Sequence, residues 1–135
     1  MSEQENVGVV QQIYAAFGRG DIPAILNLLA NNAEITHQGP PDILPWAHTY
    51  RGREGWAHFF KDLAETLEPL GFEPKDYVAQ GERVVAFGSF QARIRSTGGP
   101  FDELWAMDWV IRDGRAVTCH VYEDTAAMVA AFRGA

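Results

Sequence analysis

The sequence predicts an α+β fold, in which helices come first and a mostly antiparallel sheet follows. In the first half of the chain, apolar residues recur at steps of three and four, which is typical of amphipathic helices. In the second half, long runs alternate apolar and polar residues, as strands do. Asp113-Gly114 stands between two such runs and indicates a tight hairpin turn. The 135 residues fit one domain, and we assign residues 1–135 to it.

Two helices are predicted at the start of the chain. Ser2 and Glu5 have the spacing of a capping box, in which side chains satisfy free amides at a helix start. Gly18 and Gly20 end this first helix. Asp21 is the predicted N-cap of a shorter second helix, which Asn31-Asn32 breaks.

A short strand over residues 33–37 follows, and its alternation places His37 on the apolar side. A long loop rich in proline comes next, and loops of this kind often bind ligands. The loop carries Trp46, His48 and Tyr50. A third helix is predicted over residues 53–67, with Trp56, Phe59, Phe60, Leu63 and Leu67 on one face.

Strands are predicted near residues 72–79, 83–96, 101–112 and 115–123, and a short last helix near Asp124. With Asp113-Gly114 as the turn, Asp108 pairs with Cys119. One face of this hairpin then holds Asp108, Cys119 and Val121, and the other holds Trp105, Trp109, His120 and Tyr122. Since neither face is polar, we expect helices on the first face and a second subunit, in a homodimer, on the second.

The net charge of −7 argues against nucleic acid and anionic membranes as partners, since both attract basic proteins. A lone cysteine, Cys119, cannot form an internal disulfide, which favours a reducing compartment. The acidic N-terminus lacks the pattern of a signal peptide, and no apolar run is long enough to span a bilayer. We therefore predict a cytoplasmic protein. No metal or nucleotide signature is present, so no cofactor is predicted.

Several segments resemble SnoaL-like and ketosteroid-isomerase-like proteins of the nuclear-transport-factor-2-like superfamily. They are Tyr14-Ala15-Ala16-Phe17-Gly18-Arg19-Gly20-Asp21, Arg51-Gly52-Arg53-Glu54-Gly55 and Tyr122-Glu123-Asp124-Thr125. The resemblance implies a cone-shaped, cystatin-like roll. Three N-terminal helices would pack in a strongly curved, mostly antiparallel sheet, with a short C-terminal helix and an internal pocket. It also implies that dimers form through the outer face of the sheet.

The same resemblance implies functional positions. His37 stands where ketosteroid isomerases carry the aspartate that acts as general base, and Asp108 matches their oxyanion-binding aspartate. Their oxyanion tyrosine corresponds to Ile13, one residue before Tyr14. Val121 holds the place of the water-activating aspartate of the epoxide hydrolases.

The residues themselves support His37 and Asp108 as candidate catalytic residues. An imidazole exchanges protons near neutral pH, and a carboxyl between apolar neighbours is costly unless it is protonated or paired. The alternatives are a structural Asp108, bound to backbone amides or to an arginine such as Arg93 or Arg95, and a strand-end histidine that caps the loop. The candidate ligand-binding residues are Tyr14, Trp46, His48, Tyr50, Trp56, Phe60, Cys119 and Val121.

Three functions remain open on the sequence. The first is a cofactor-free isomerase, cyclase or lyase that acts on a small hydrophobic carbonyl compound through acid–base chemistry. The second is a non-catalytic binder of such a molecule, and the third is a dimeric scaffold with a vestigial pocket. An enzyme needs two convergent titratable groups, whereas a scaffold should fill its cone with side chains.

Overall fold

A computed structural model describes residues 2–134 of the chain. The helices are α1 (Glu3–Gly18), α2 (Ile22–Asn27), α3 (Gly52–Thr66) and α4 (Thr125–Phe132). The strands are β1 (Leu29–His37), β2 (Thr49–Arg51), β3 (Leu67–Gln80), β4 (Arg83–Ile94), β5 (Pro100–Arg112) and β6 (Arg115–Tyr122).

All of these strands join one sheet in the order β2-β1-β6-β5-β4-β3. Neighbouring strands are antiparallel except β1 and β6, which are parallel. Register shifts interrupt the pairing of β3 with β4, β5 with β6, and β1 with β6, and such bulges bend a sheet. The sheet curves around the helices, so the predicted α+β cone with a short C-terminal helix is confirmed.

The helix caps and the hairpin turn that the sequence predicts are present in the structure. The Ser2 hydroxyl accepts the Glu5 amide at 3.0 Å, and the Glu5 carboxylate accepts the Ser2 amide at 2.9 Å. The Asp21 carboxylate accepts the Ala24 amide at 3.2 Å. Asp113 and Gly114 have φ values of 53° and 76°, as this hairpin turn requires.

Three boundaries differ from the prediction. Asn31-Asn32 does not end a helix, because α2 stops at Asn27 and both asparagines lie inside β1. The segment Thr49–Arg51 of the predicted loop forms β2, whose partner is β1. Leu67 begins β3 and does not belong to the preceding helix.

A bulge in the last hairpin overturns the predicted faces of β5. The register shifts between Val110 and Ile111, so Asp108 pairs with His120 and Trp109 pairs with Cys119. Because side chains alternate along a strand, a shift of one residue exchanges the two faces. Asp108 therefore lies with His120 and Tyr122 on the outer face. The inner face holds Trp105, Trp109, Cys119 and Val121.

The inner face of the sheet and the helices enclose the hydrophobic core, which includes Val10, Ile13, Trp56 and Trp109. The outer face carries large apolar side chains that remain exposed, namely Val78, Phe87, Leu104 and Tyr122. Among residues 2–134, no helix has the length and apolarity that a membrane span needs.

Candidate functional site

A cavity of about 70 Å³ lies between the helices and the inner face of the sheet. Its walls are mainly apolar and aromatic. Helices α1 and α3 contribute Tyr14, Phe17, Trp56, Phe59, Phe60 and Leu63, and the strands contribute Phe72, Phe90, Trp105, Met107, Trp109, Cys119 and Val121. All four tryptophans of the chain, including Trp46, line this cavity.

Two titratable side chains meet at the wall of this cavity. His37 is the last residue of β1, and Glu123 directly follows β6. Because β1 and β6 are parallel, their carboxyl ends lie at the same edge of the sheet, with His37 paired to Val121. His37 Nε2 lies 3.5 Å from Glu123 Oε1, and the two side chains are 6% and 12% exposed. This places an imidazole and a carboxyl in contact in an otherwise apolar pocket.

A second carboxyl supports the first from β5. Glu103 is only 3% exposed, and its Oε1 accepts the backbone amide of Asp124 at 3.0 Å. The Glu103 carboxyl also lies beside the Glu123 carboxyl, close enough to raise its pKa. Asp124 in turn caps α4, since its carboxylate accepts the Ala127 amide at 3.0 Å. The start of α4 therefore fixes the carboxyl pair.

Burial determines the protonation of these groups. It lowers the pKa of His37 to about 3, with a further contribution from His48 and His120, so the imidazole is neutral. Burial and the neighbouring Glu103 raise the pKa of Glu123 well above its usual range, and burial also raises the pKa of Glu103. No lysine or arginine lines the cavity within residues 2–134. A buried carboxyl without a cation nearby retains its proton.

Tyr14 lines the cavity, but its hydroxyl is already engaged. It donates to Met107 Sδ at 3.2 Å and accepts the Trp109 indole N–H at 2.9 Å. Burial raises the pKa of Tyr14 above its usual value, and burial likewise raises the pKa of the Cys119 thiol. Both groups stay neutral and act as parts of the wall.

The two candidate catalytic residues, His37 and Asp108, do not lie together. Asp108 lies on the outer face, where Arg83 Nε and Nη2 donate to its two carboxylate oxygens at 2.8 and 2.6 Å. The cause is the bulge that changes the faces of β5. Asp108 is thus a structural carboxylate, as the alternative reading held, although its partner is Arg83 and neither Arg93 nor Arg95.

The other predicted site residues divide into two groups. Those that line the cavity are Tyr14, Trp46, Trp56, Phe60, Cys119 and Val121. His48 and Tyr50 lie outside it: His48 Nδ1 is 3.3 Å from the Thr49 carbonyl oxygen, and the Tyr50 hydroxyl donates to Asp62 at 2.7 Å. Trp105 and Trp109, predicted at a dimer contact, line the cavity because they share the inner face.

Glu103 and Glu123 are the residues that sequence reasoning missed. Glu123 directly precedes the predicted last helix and is not among the candidate site residues. Its position two residues after Val121 and four after Cys119 nevertheless places it on the inner face of β6 if the alternation continues. Glu103 lies two residues before Trp105 and therefore on the same face of β5. It could be identified as an inner-face residue only from the correct register of β5. Within residues 2–134, no group of three or more His, Cys, Asp or Glu side chains is arranged to hold a metal ion.

The family relationship agrees with the fold. Residues 10–119 match the SnoaL-like domain family, and the chain belongs to this family. A nuclear-transport-factor-2-like protein from Burkholderia xenovorans is 34% identical over 98% of both chains, with a TM-score of 0.88. TerC, crystallised with polyporic acid, is 25% identical over 96% of this chain and 98% of its own, with a TM-score of 0.86.

A candidate polyketide cyclase from Xanthomonas campestris is 23% identical over 96% of this chain and 98% of its own, with a TM-score of 0.77. At this identity, the similarity shows the fold alone. No curated protein matches the chain significantly. The predicted superfamily is confirmed, and family membership supports a protein that binds a small molecule.

Proposed function

We propose that this protein binds a small, uncharged carbonyl compound in the cavity and catalyses proton transfer on it, as an isomerase or cyclase does. One observation carries the proposal: His37 and Glu123 lie in contact and line the same apolar cavity. Two convergent titratable groups meet the requirement for acid–base catalysis. Glu123 takes the place that the sequence assigned to Asp108.

The two groups can exchange protons only together. A neutral imidazole can accept a proton in this buried site if the adjacent carboxyl loses one, because the net charge of the pair then stays constant. The proton taken up by His37 and the proton given up by Glu123 therefore belong to one coupled event. This coupling suits a reaction in which a substrate gives one proton and receives another.

Enolisation of a ketone is such a reaction. The neutral His37 imidazole removes a proton from the carbon next to the carbonyl, and the Glu123 carboxylic acid gives its proton to the carbonyl oxygen. The products are an enol, an imidazolium and a carboxylate that stabilise each other. Where a carbon–carbon double bond adjoins the carbon that loses the proton, the product is a dienol. Return of the proton from His37 to the far carbon of this dienol, with return of the enol proton to Glu123, yields a double-bond isomer and restores both groups.

The charge of the cavity favours an uncharged ligand. Its wall holds a carboxyl pair and, within the described residues, no basic side chain, so an anion would lose its hydration without gaining a counter-ion. The aromatic walls offer faces against which a flat ring can stack. TerC was crystallised with polyporic acid, which supports a small organic ligand for a pocket of this fold.

The size of the cavity requires movement on binding. A cavity of about 150 Å³ accommodates benzene, and the present one measures about 70 Å³. Six lining residues are only partly buried, namely Phe17 on α1, Phe60 and Leu63 on α3, Phe72 on β3, Met107 on β5 and Glu123 after β6. Rotation of the apolar side chains among them would enlarge the cavity and open it to solvent.

The test is the exchange of protons next to the carbonyl of cyclohexanone in heavy water, followed by NMR. The wild-type protein should accelerate this exchange, and His37→Gln and Glu123→Gln should each remove most of the acceleration, by about 100-fold or more. Asp108→Asn is the matched control, since it removes a carboxylate on the outer face, and should leave the rate unchanged. Equal rates in all four proteins would refute acid–base catalysis by this pair.

A non-catalytic binder is the second candidate, and the mostly apolar wall of the cavity favours it, since such pockets serve binding as well as reaction. Saturable binding of cyclohexanone that leaves the exchange rate of its protons at the solvent value would support it. Absence of binding would leave a scaffold whose cone is filled by its own side chains.

We also propose a homodimer through the outer face of the sheet. Val78, Phe87, Leu104 and Tyr122 expose apolar surface there, and Leu104 is 76% exposed. His120 stacks on Tyr122 at 4.8 Å on the same face. Leu104→Glu should therefore shift the protein from dimer to monomer in sedimentation experiments. A wild-type protein that remains monomeric at high concentration would contradict the proposal.

A further inference from the structure

The carboxyl pair contains an oxygen that lacks a partner when both groups are ionised. Glu103 Oε1 accepts the Asp124 amide, but Glu103 Oε2 is buried and has no hydrogen-bond donor among residues 2–134 in that state. A carboxylate oxygen only accepts hydrogen bonds. The contact between the Glu103 and Glu123 side chains is therefore a hydrogen bond only if one of them carries a proton.

Within residues 2–134, no lysine or arginine lines the cavity, so no cationic side chain there can replace this proton in neutralising the carboxyl pair. His37 on β1 lies 3.5 Å from Glu123 and is neutral, because burial lowers its pKa, with further contributions from His48 and His120. Cys119 on β6 is a buried thiol, and Asp124 at the start of α4 adds a negative charge near Glu103. The part of α3 that lines the cavity contributes only Trp56, Phe59, Phe60 and Leu63. Two buried carboxylates this close together would repel each other, so sharing one proton is favourable.

We propose that Glu103 is a positioning residue, which holds Glu123 beside His37 and keeps it a neutral carboxylic acid by sharing one proton with it. Glu103 lies behind Glu123 and is not among the residues that line the cavity, so it acts through Glu123. This inference deepens the function proposed above, since it explains how the acid stays protonated at neutral pH. It can be tested without any ligand, so its failure is distinguishable from failure of that function.

Glu103→Gln is the variant to test, because glutamine has nearly the same shape and its carbonyl oxygen can still accept the Asp124 amide. Its NH₂ group would donate to Glu123 and favour the carboxylate form, which lowers the pKa of Glu123. An ionised Glu123 at 3.5 Å from Nε2 would then raise the pKa of His37. We expect the titration of His37, followed by ¹⁵N NMR of its imidazole, to move upward by about one to three pH units.

A double variant distinguishes this role from a merely structural one. In Glu103→Gln combined with Glu123→Gln, the upward shift of His37 should disappear, since no carboxyl remains to ionise beside it. A titration of His37 that is the same in the wild type and in Glu103→Gln would overturn the proposal. So would a shift that persists in the double variant.

The wild-type protein provides an independent measurement in case Glu103→Gln does not fold. With ¹³C-labelled glutamate side chains, one carboxyl should give the NMR signal of a protonated acid at neutral pH. In Glu123→Gln, the remaining buried carboxyl has no carboxyl partner with which to share the proton, so its signal should show ionisation at a lower pH than in the wild type. Glutamate signals that are all ionised at neutral pH in the wild type would contradict a shared proton.

Discussion

The two faces of the hairpin formed by β5 and β6 place their carboxyl and imidazole groups in opposite surroundings. On the outer face, Asp108 forms two hydrogen bonds with Arg83, and both side chains reach solvent. On the inner face and at its edge, Glu103 and Glu123 meet each other and a neutral His37, without any cation in the cavity wall. The outer carboxylate is stabilised by its charge partner, whereas the inner carboxyls are stable only with a proton.

This difference shows where chemistry can occur. A carboxylate in a bidentate pair with arginine is held in its ionised form and has little reason to give or take a proton. A carboxyl that is buried beside another carboxyl and an imidazole is poised to exchange one, since small changes nearby decide its state. The residue type alone does not identify the site, because both faces carry acids and histidines.

The largest expected effect is a difference in the free energy of unfolding between variants on the inner face and variants on the outer face. Trp109→Ala removes a buried ring that contacts Tyr14 and Trp56, and should lower the free energy of unfolding by about 3–5 kcal/mol. Leu104→Ala on the outer face should change it by less than about 0.5 kcal/mol at protein concentrations where the chain is monomeric. Urea unfolding of both variants measures the contrast. If Trp109→Ala cost no more than Leu104→Ala, the assignment of Trp109 to the interior would be wrong.

A smaller effect concerns pH. The pKa of His37 is about 3 in the folded protein and 6.5 in its ordinary state, so the unfolded chain binds more protons between these values and His37 makes stability rise with pH there. The pKa of Glu123 is raised above its ordinary 4.5, so the folded protein holds an extra proton above pH 4.5 and Glu123 makes stability fall as pH rises. Between pH 4.5 and 6.5 the two contributions oppose each other.

Removing either group should expose the contribution of the other. In Glu123→Gln, the free energy of unfolding should rise with pH in this window relative to the wild type, and in His37→Gln it should fall. Each slope is at most about 1.4 kcal/mol per pH unit, the value for one whole proton. Urea unfolding at several pH values measures these slopes. Parallel pH profiles in the two variants would show that the groups are not buried together as the structure has them.

The smallest effect is expected for the ion pair on the outer face. Arg83 is 62% exposed and Asp108 is 21% exposed, so solvent and salt weaken their attraction. Asp108→Asn should therefore cost less than about 1 kcal/mol of folding free energy, and added salt should reduce this cost further. Thermal unfolding at low and high salt provides the measurement. A cost well above that of an exposed pair would mean that Asp108 is buried in a way that the structure does not have.

The sequence predicted most of the fold because the signals that specify it are local. Capping by Ser2 and Asp21, the turn at Asp113-Gly114 and the periodicity of α3 each depend on residues close together in the chain. The face of Asp108 could not be predicted in this way. It depends on a bulge between Val110 and Ile111, and a bulge is set by how two strands fit together.

The candidate site was only half predicted for the same reason. His37 was predicted to lie on the inner side of its strand, and it lines the cavity. Its carboxyl partner comes from the parallel neighbour β6, and the pairing of β1 with β6 joins segments that are far apart in the chain. Glu123 also directly precedes Asp124, the N-cap of α4, and this position gave no reason to select it as a site residue.

The central claim is that the inner cavity, with His37 and Glu123 in its wall, is the functional site and the outer face is not. The most direct test is an NMR titration of the ¹⁵N-labelled protein with cyclohexanone. The indole N–H signals of the four tryptophans and the imidazole signals of His37 should shift saturably, while those of His120 should stay in place. Shifts of His120 with unchanged indole signals would place the ligand on the outer face and contradict this account.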